Sequence, residues 1–193
     1  TLSAYSSGNT FALKPLTDFR CDVAPQKGIH LFHFSHSLCS MKVRQALAEN
    51  AVHWTSHLVL LPAYQPYEPD YVRINPRCVV PTLVCDGKVT TDSANILNFI
   101  NSKLSNLDPL QKPSVDEFEA IAFWLDKADS LPIEALTYGD NRGSNKSFLF
   151  KRLANGGKAH EFKANLLRKL VKRHENEKLL HDAYKSKLNI VEN

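Results

Sequence analysis

The chain has 193 residues, 43% of them hydrophobic and 23% charged, with a net charge of +4; these are ordinary values for a globular protein and exclude disorder or a coiled coil as the state of the whole chain. The longest apolar runs are five or six residues, far short of the ~20 that a membrane-spanning helix requires. Residues 151–193 carry 11 Lys/Arg against 5 Asp/Glu, but acids and leucines interleave them, which fits a solvated helix face better than a nucleic-acid or lipid surface. Cysteines 21, 39, 78 and 85 form neither a CxxC pair nor zinc spacing, so no metal site or disulfide framework is expected and a reducing compartment fits.

Residues 1–27 begin at Thr1 and hold six Ser/Thr before Asp18, the first acid. They read as an extension or as the remnant of a removed targeting peptide, although an artificial start would look the same. The expected location is the cytoplasm or, after such processing, an organelle (plastid or mitochondrion). Ordered structure is expected from Gly28, with a strand carrying Ile29, Leu31, Phe32 and Phe34. From Cys39 the apolar period lengthens to that of a helix through Val43, Ala46 and Leu47, ending at Asn50. A second strand is expected over His53–Leu61, and then a Pro-rich loop with a helical turn at Asp70–Ile74. Cys78–Cys85 reads as a strand broken by Pro81. Asp86-Gly87 is a hairpin signal leading to a short strand at Lys88–Thr90. A helix from Ser93 to Leu104 follows, with Asp92 suited to its positive end.

The order is βαβ and then ββα, a thioredoxin-like arrangement over residues 28–104. Residues 105–114 read as a linker, and 115–193 as an all-α domain that is incomplete. In it a helix is expected at Val115–Ser130, with Phe118, Ile121, Phe123, Trp124 and Leu125 on its apolar side, resuming past Pro132 to Tyr138. A loop at Gly139–Asn145 and a basic amphipathic segment at Glu161–Lys187 complete the chain.

Three places could carry chemistry. The turn 35–40 (Ser-His-Ser-Leu-Cys-Ser) joins the first strand to the first helix, where ligands bind in open α/β sheets. There Cys39 is either a thiol activated by the helix terminus, with Lys42 one turn on, or simply a small residue at a helix start. A cis bond at Val80–Pro81 would turn the Val80 N–H and C=O outward as an edge for an extended peptide, whereas a trans proline at a strand edge is the commoner case. Asp92-Ser93 could hold a ligand ammonium and carboxylate, or could be a plain helix cap.

The runs Ser37-Leu38-Cys39-Ser40-Met41-Lys42-Val43-Arg44, Tyr71-Val72-Arg73-Ile74-Asn75-Pro76, Val80-Pro81-Thr82-Leu83 and Asp92-Ser93-Ala94-Asn95-Ile96 resemble the N-terminal domain of glutathione S-transferases. Glu-Pro-Asp-Tyr-Val-Arg at 68–73 and Cys-Ser-Met-Lys at 39–42 resemble the tetrachlorohydroquinone reductive dehalogenase branch most, and zeta-class maleylacetoacetate isomerases next. The resemblance implies glutathione as co-substrate. It implies that Ser37 activates the glutathione thiol and that Cys39 resolves a mixed disulfide. Val80, ahead of Pro81, would pair with the cysteinyl backbone of glutathione, and Asp92 and Ser93 would hold its γ-glutamyl end.

Two departures stand out. The strand end reads His33-Phe34-Ser35-His36, which would set two imidazoles near the sulfur site. The chain also stops before a further helical hairpin and a Ser-x-x-Asp cap, so apolar positions such as Trp124, Leu125, Leu166, Leu170 and Leu179 are expected to be exposed unless something covers them. Two functions follow: glutathione-dependent transfer, isomerisation or reductive dehalogenation of a small electrophilic or quinone-like substrate, or a non-catalytic structural subunit of a larger assembly such as an organellar, membrane-associated complex. The partners expected are glutathione and a homodimer mate or larger protein assembly, with no nucleic acid and no transmembrane segment.

Overall fold

The computed structural model describes residues 13–104, 114–130 and 156–192. The expected resumption of helix past Pro132, the loop 139–145, nearly all of the linker and the Leu125 side chain lie outside them. The described residues fall into two compact units, 13–104 with 162–192, and 114–130 with 156–161.

In the first unit, strands β1 (Phe19–Arg20), β2 (Ile29–His33), β3 (Thr55–Leu58), β4 (Thr82–Cys85) and β5 (Lys88–Thr91) form one sheet in the order β1-β5-β4-β2-β3. β2 and β3 are parallel, and the other pairs are antiparallel. Alternation decides the faces. Leu31 and Leu83 point to one side, where Val43 and Leu47 of α1 (Leu38–Glu49) and Ile96 of α3 (Ser93–Phe99) close over them. Phe32, Val84 and Val89 point to the other, against Ile74 of α2 (Pro69–Ile74). This is the expected thioredoxin-like domain, followed by helices.

The ordered part begins before Gly28. Phe19 pairs with Val89 and Arg20 with Lys88, Thr91 N donates to Leu16 O while Leu16 N donates to Thr91 Oγ1, and Cys21 and Ala24 are buried beside β5. A two-residue strand shows no alternation, and what holds the segment is the backbone of β5, so its Ser/Thr/Pro-rich composition read as a tail. The hairpin at Asp86-Gly87 is as expected, with φ of 48° and 77°. The φ of Gly87 favours glycine, and a Cβ there would also displace the ends of the Gln26 and Arg20 side chains.

The second strand is shorter than expected, since Leu61 already starts a 3-10 turn. The helix after β5 changes to a π-helical turn at Ile100–Leu104. The segment 161–187 is not one helix but parts of two, α5 (Gly156–Arg173) and α6 (Lys178–Glu192). They part at residues 174–177, where Glu177 binds His174 Nδ1 at 2.8 Å and Arg73 of α2 at 3.0 Å. Leu167, Leu180, Ala183 and Tyr184 of these helices pack on Tyr67, Val72 and Cys78, with Leu166 and Leu170 partly buried beside them. The exposure expected of Leu166 and Leu170 is therefore corrected, because both pack against this cluster; Leu179 is exposed.

In the second unit α4 (Val115–Ser130) starts with a capping box. Ser114 Oγ accepts from Glu117 N, and Glu117 in turn accepts from Ser114 N. Its Phe118, Ile121, Phe123 and Trp124 are exposed. Among the described residues no helix is long and apolar enough to cross a membrane.

Candidate functional site

The sheet register brings the three sequence-selected places to one edge. Phe32 stands opposite Thr82, and Thr82 opposite Thr91. Because β4 runs against both neighbours, the turn after β2 (Ser37, Cys39), the bend before β4 (Val80, Pro81) and the turn after β5 (Asp92, Ser93) all emerge at the same end.

At the first of these, Ser37 caps α1: its Oγ accepts from Ser40 N at 3.3 Å, which leaves the hydroxyl proton to donate elsewhere. Cys39 lies in the first turn of α1 and is exposed. Of the two imidazoles expected near the sulfur, only His36 stays in the turn, 3.0 Å from Ser35 Oγ. His33 is buried on the α1 side of the sheet with both nitrogens engaged, by Ser56 Oγ at 2.8 Å and Arg44 Nη1 at 3.2 Å. The alternation of β2 sends its side chain inward, away from the turn.

At the second place the Val80–Pro81 bond is cis, the rarer of the two cases. Behind it lies a buried polar network. Tyr71 OH donates to Val79 O at 2.6 Å, Asn75 Nδ2 donates to Val79 O and to Thr82 Oγ1, both at 2.8 Å, and Thr82 Oγ1 lies 2.9 Å from Tyr71 OH. Since the single Tyr71 proton goes to Val79 O, the Thr82 hydroxyl must donate to Tyr71. Burial drives the Tyr71 phenol well above its usual pKa. The Val79 carbonyl is held by two donors, while Val80 has no backbone partner among the described residues.

At the third, Asp92 caps α3, accepting from Ala94 N at 3.1 Å, and its other oxygen lies 3.8 Å from Arg77. Its backbone has φ 76° and ψ 129°, a region rarely occupied except by glycine. Sequence reasoning missed Arg77 and Arg44. No spacing rule links residue 77 to 92, and Arg44 works through loop carbonyls that only the fold brings near. Among the described residues no group of three or more His, Cys, Asp or Glu could hold a metal ion.

Residues 36–103 match the family described as glutathione S-transferase, N-terminal domain. Over that stretch the chain is similar to the N-terminal domain of glutathione S-transferases. Similar proteins include the tetrachloro-p-hydroquinone reductive dehalogenase of Sphingobium chlorophenolicum, 37% identical over 58% of this chain and 44% of that one. A 2,5-dichlorohydroquinone reductive dechlorinase of Sphingobium indicum is 28% identical over 88% of this chain and 57% of its own. The chain thus spans about half the length of these curated relatives. Among solved structures, glutathione transferase F7 of Populus trichocarpa shares the fold with a TM-score of 0.51 at 18% identity, covering 73% of this chain and 71% of that one. The stretch so matched contains all six residues singled out from the sequence.

Proposed function

We propose that this chain binds glutathione along the shared sheet edge and uses its thiol in transfer, isomerisation or reductive dehalogenation of a small electrophilic or quinone-like substrate. The observation that carries this is the register that brings the Ser37/Cys39 turn, the Val80 bend and the Asp92-Ser93 cap to one end of the sheet. Each offers what one part of a γ-glutamyl tripeptide requires. The Ser37 proton is available to a thiolate. The unpaired Val80 backbone suits an extended cysteinyl residue. Asp92 suits an ammonium, with Arg77 and the first α3 amides beside it for a carboxylate. The names of the two Sphingobium relatives support dehalogenation of a hydroquinone within this class. Cys39, exposed next to Ser37, is placed to exchange with a glutathione adduct.

The test is retention on immobilised glutathione, followed by titration. Asp92→Ala should weaken glutathione by about 1.5–3 kcal/mol, roughly 10- to 150-fold, as for a hydrogen bond to a charged group. Ser37→Ala should lower turnover without unfolding the chain. Cys39→Ser should spare simple conjugation and stop any step that passes through a protein disulfide. A chain that is not retained and shows no saturable glutathione binding overturns the proposal. The exposed apolar face of α4 favours a second reading, a non-catalytic subunit of a larger assembly, and that result would support it.

A further inference from the structure

Behind the turn that carries Ser37 and Cys39, one side chain holds two carbonyls, while the Ser40 hydroxyl accepts from Phe34 N at 3.4 Å. Arg44, one to two turns into α1, sends Nη1 to Phe34 O at 3.4 Å and Nη2 to Ser35 O at 3.1 Å. The same Nη1 reaches His33 Nδ1 at 3.2 Å. A guanidinium only donates and stays charged, so His33 Nδ1 must offer a lone pair. That assigns the neutral ring, with the proton on Nε2 donating to Ser56 Oγ at 2.8 Å.

We infer that His33 and Arg44 form a proton-sensitive latch: neutral His33 holds Arg44 in the pose that ties down the 34–37 turn, and a proton on Nδ1 releases both. The inference rests on the reading of that turn as the glutathione thiol site and adds its regulation. Protonation converts the acceptor facing Arg44 into a donor and sets two cations at hydrogen-bond distance in a buried place. Among the described residues, the groups around His33 include no carboxylate to favour a charged ring. Arg44 comes from α1 and Ser56 from β3, the Trp54 ring stands at 83° to it with centroids 5.5 Å apart, and His57 acts from the other face of the sheet. From β4, the neighbouring residues Pro81 and Thr82 are uncharged. Burial first, and then the charges of Arg44 and His57, hold the His33 pKa below the usual 6.5. The latch is therefore shut at neutral pH and opens on acidification. Opening frees the Arg44 guanidinium from Phe34 O and Ser35 O, and the Ser37 amide, bonded to Phe34 O at 3.2 Å, loses its support.

The experiment is nitrogen-15 NMR of the histidine rings, with hydrogen exchange of the Ser37 amide, on the full chain from about pH 7.5 to about pH 5. At the upper end His33 should show a bare Nδ1 and a protonated Nε2. As the ring titrates, the protection factor of the Ser37 amide should fall about tenfold or more. In His33→Asn, whose Oδ1 keeps an acceptor towards Arg44 without a titrating proton, the protection should stay level. Arg44→Lys keeps the charge but not the fork, so protection should be low from the start and nearly independent of pH. A proton on Nδ1 at the upper end, a Ser37 amide indifferent to His33 titration, or a parent-like slope in either variant overturns the latch. If His33→Asn does not fold, the parent and Arg44→Lys still decide. Glutathione titration on the same samples separates the two ideas. A latch that opens in a chain binding no glutathione sinks the functional reading alone, and intact binding with a latch that never opens sinks the latch alone.

Discussion

At the scale of single residues, Asp92 combines a cost with two uses. Its left-handed backbone costs about 1–3 kcal/mol in a residue with a Cβ, and glycine would remove that cost while losing only a few tenths of a kcal/mol as a cap. Asp92→Gly should therefore unfold at the same or a higher urea concentration than the parent, yet bind glutathione as poorly as Asp92→Ala. A plain cap would lose neither more nor less than its helix. Thr82 gives the complementary case, since it is fully buried and serves structure. Thr82→Val keeps the shape but leaves one Asn75 proton and the Tyr71 oxygen without a partner. This should cost about 1–3 kcal/mol in urea unfolding. The site was legible at Ser37, Cys39, Val80 and Asp92 because their types and neighbours form short runs. The network of Tyr71, Asn75 and Thr82 was not, because it is a closure between α2 and β4 that no local pattern announces.

At the scale of elements, most boundaries followed from changes of period: two in the strands, near four in α1 and α4. Misses came where pairing or an outside partner decides. β1 is held by β5 rather than by its own residues, and the helix break at 174–177 is held by the Arg73 contact from α2. Strands β2 and β3 also set up a pH dependence. His30 Nε2 donates to Lys27 O at 2.8 Å, so its Nδ1 accepts, and His57 Nε2 must donate to it across 2.9 Å. His57, stacked on Phe32 at 4.4 Å, has its pKa lowered by burial first and then by His30. His33 is lowered likewise. Both rings bind protons more weakly folded than unfolded, so below about pH 6.5 the unfolded chain takes up more protons. Stability is fully present above that pH and falls as the pH drops through 6.5 towards the folded values. Urea midpoints at about pH 7.5 and about pH 5.5 should show the drop, and the double variant His33→Asn, His57→Asn should flatten it.

At the scale of the molecule, the segment around α2 is covered by residues far away in sequence. Tyr184 of α6 is fully buried and donates to Tyr67 O at 2.8 Å, and Leu180 and Leu167 shut Cys78 in. An amphipathic basic segment was legible in the sequence, but its target was not, because a helix pattern records which face is buried and not what buries it. Burial pushes the Cys78 thiol up to about 12 and leaves it 3% exposed, whereas Cys39 is open. A thiol reagent should therefore label Cys39 first, then the half-exposed Cys85, and reach Cys78 only when α5 and α6 leave α2. That makes Cys78 a reporter of this docking. Leu180→Ala removes a fully buried side chain and should weaken the packing by about 2–5 kcal/mol. With a factor of ten for each 1.4 kcal/mol, Cys78 labelling should quicken by roughly 30- to several-thousandfold while Cys39 keeps its rate. Equal acceleration at both thiols would mean that the chain opens as one piece. No acceleration at Cys78 would mean that α6 does not cover it.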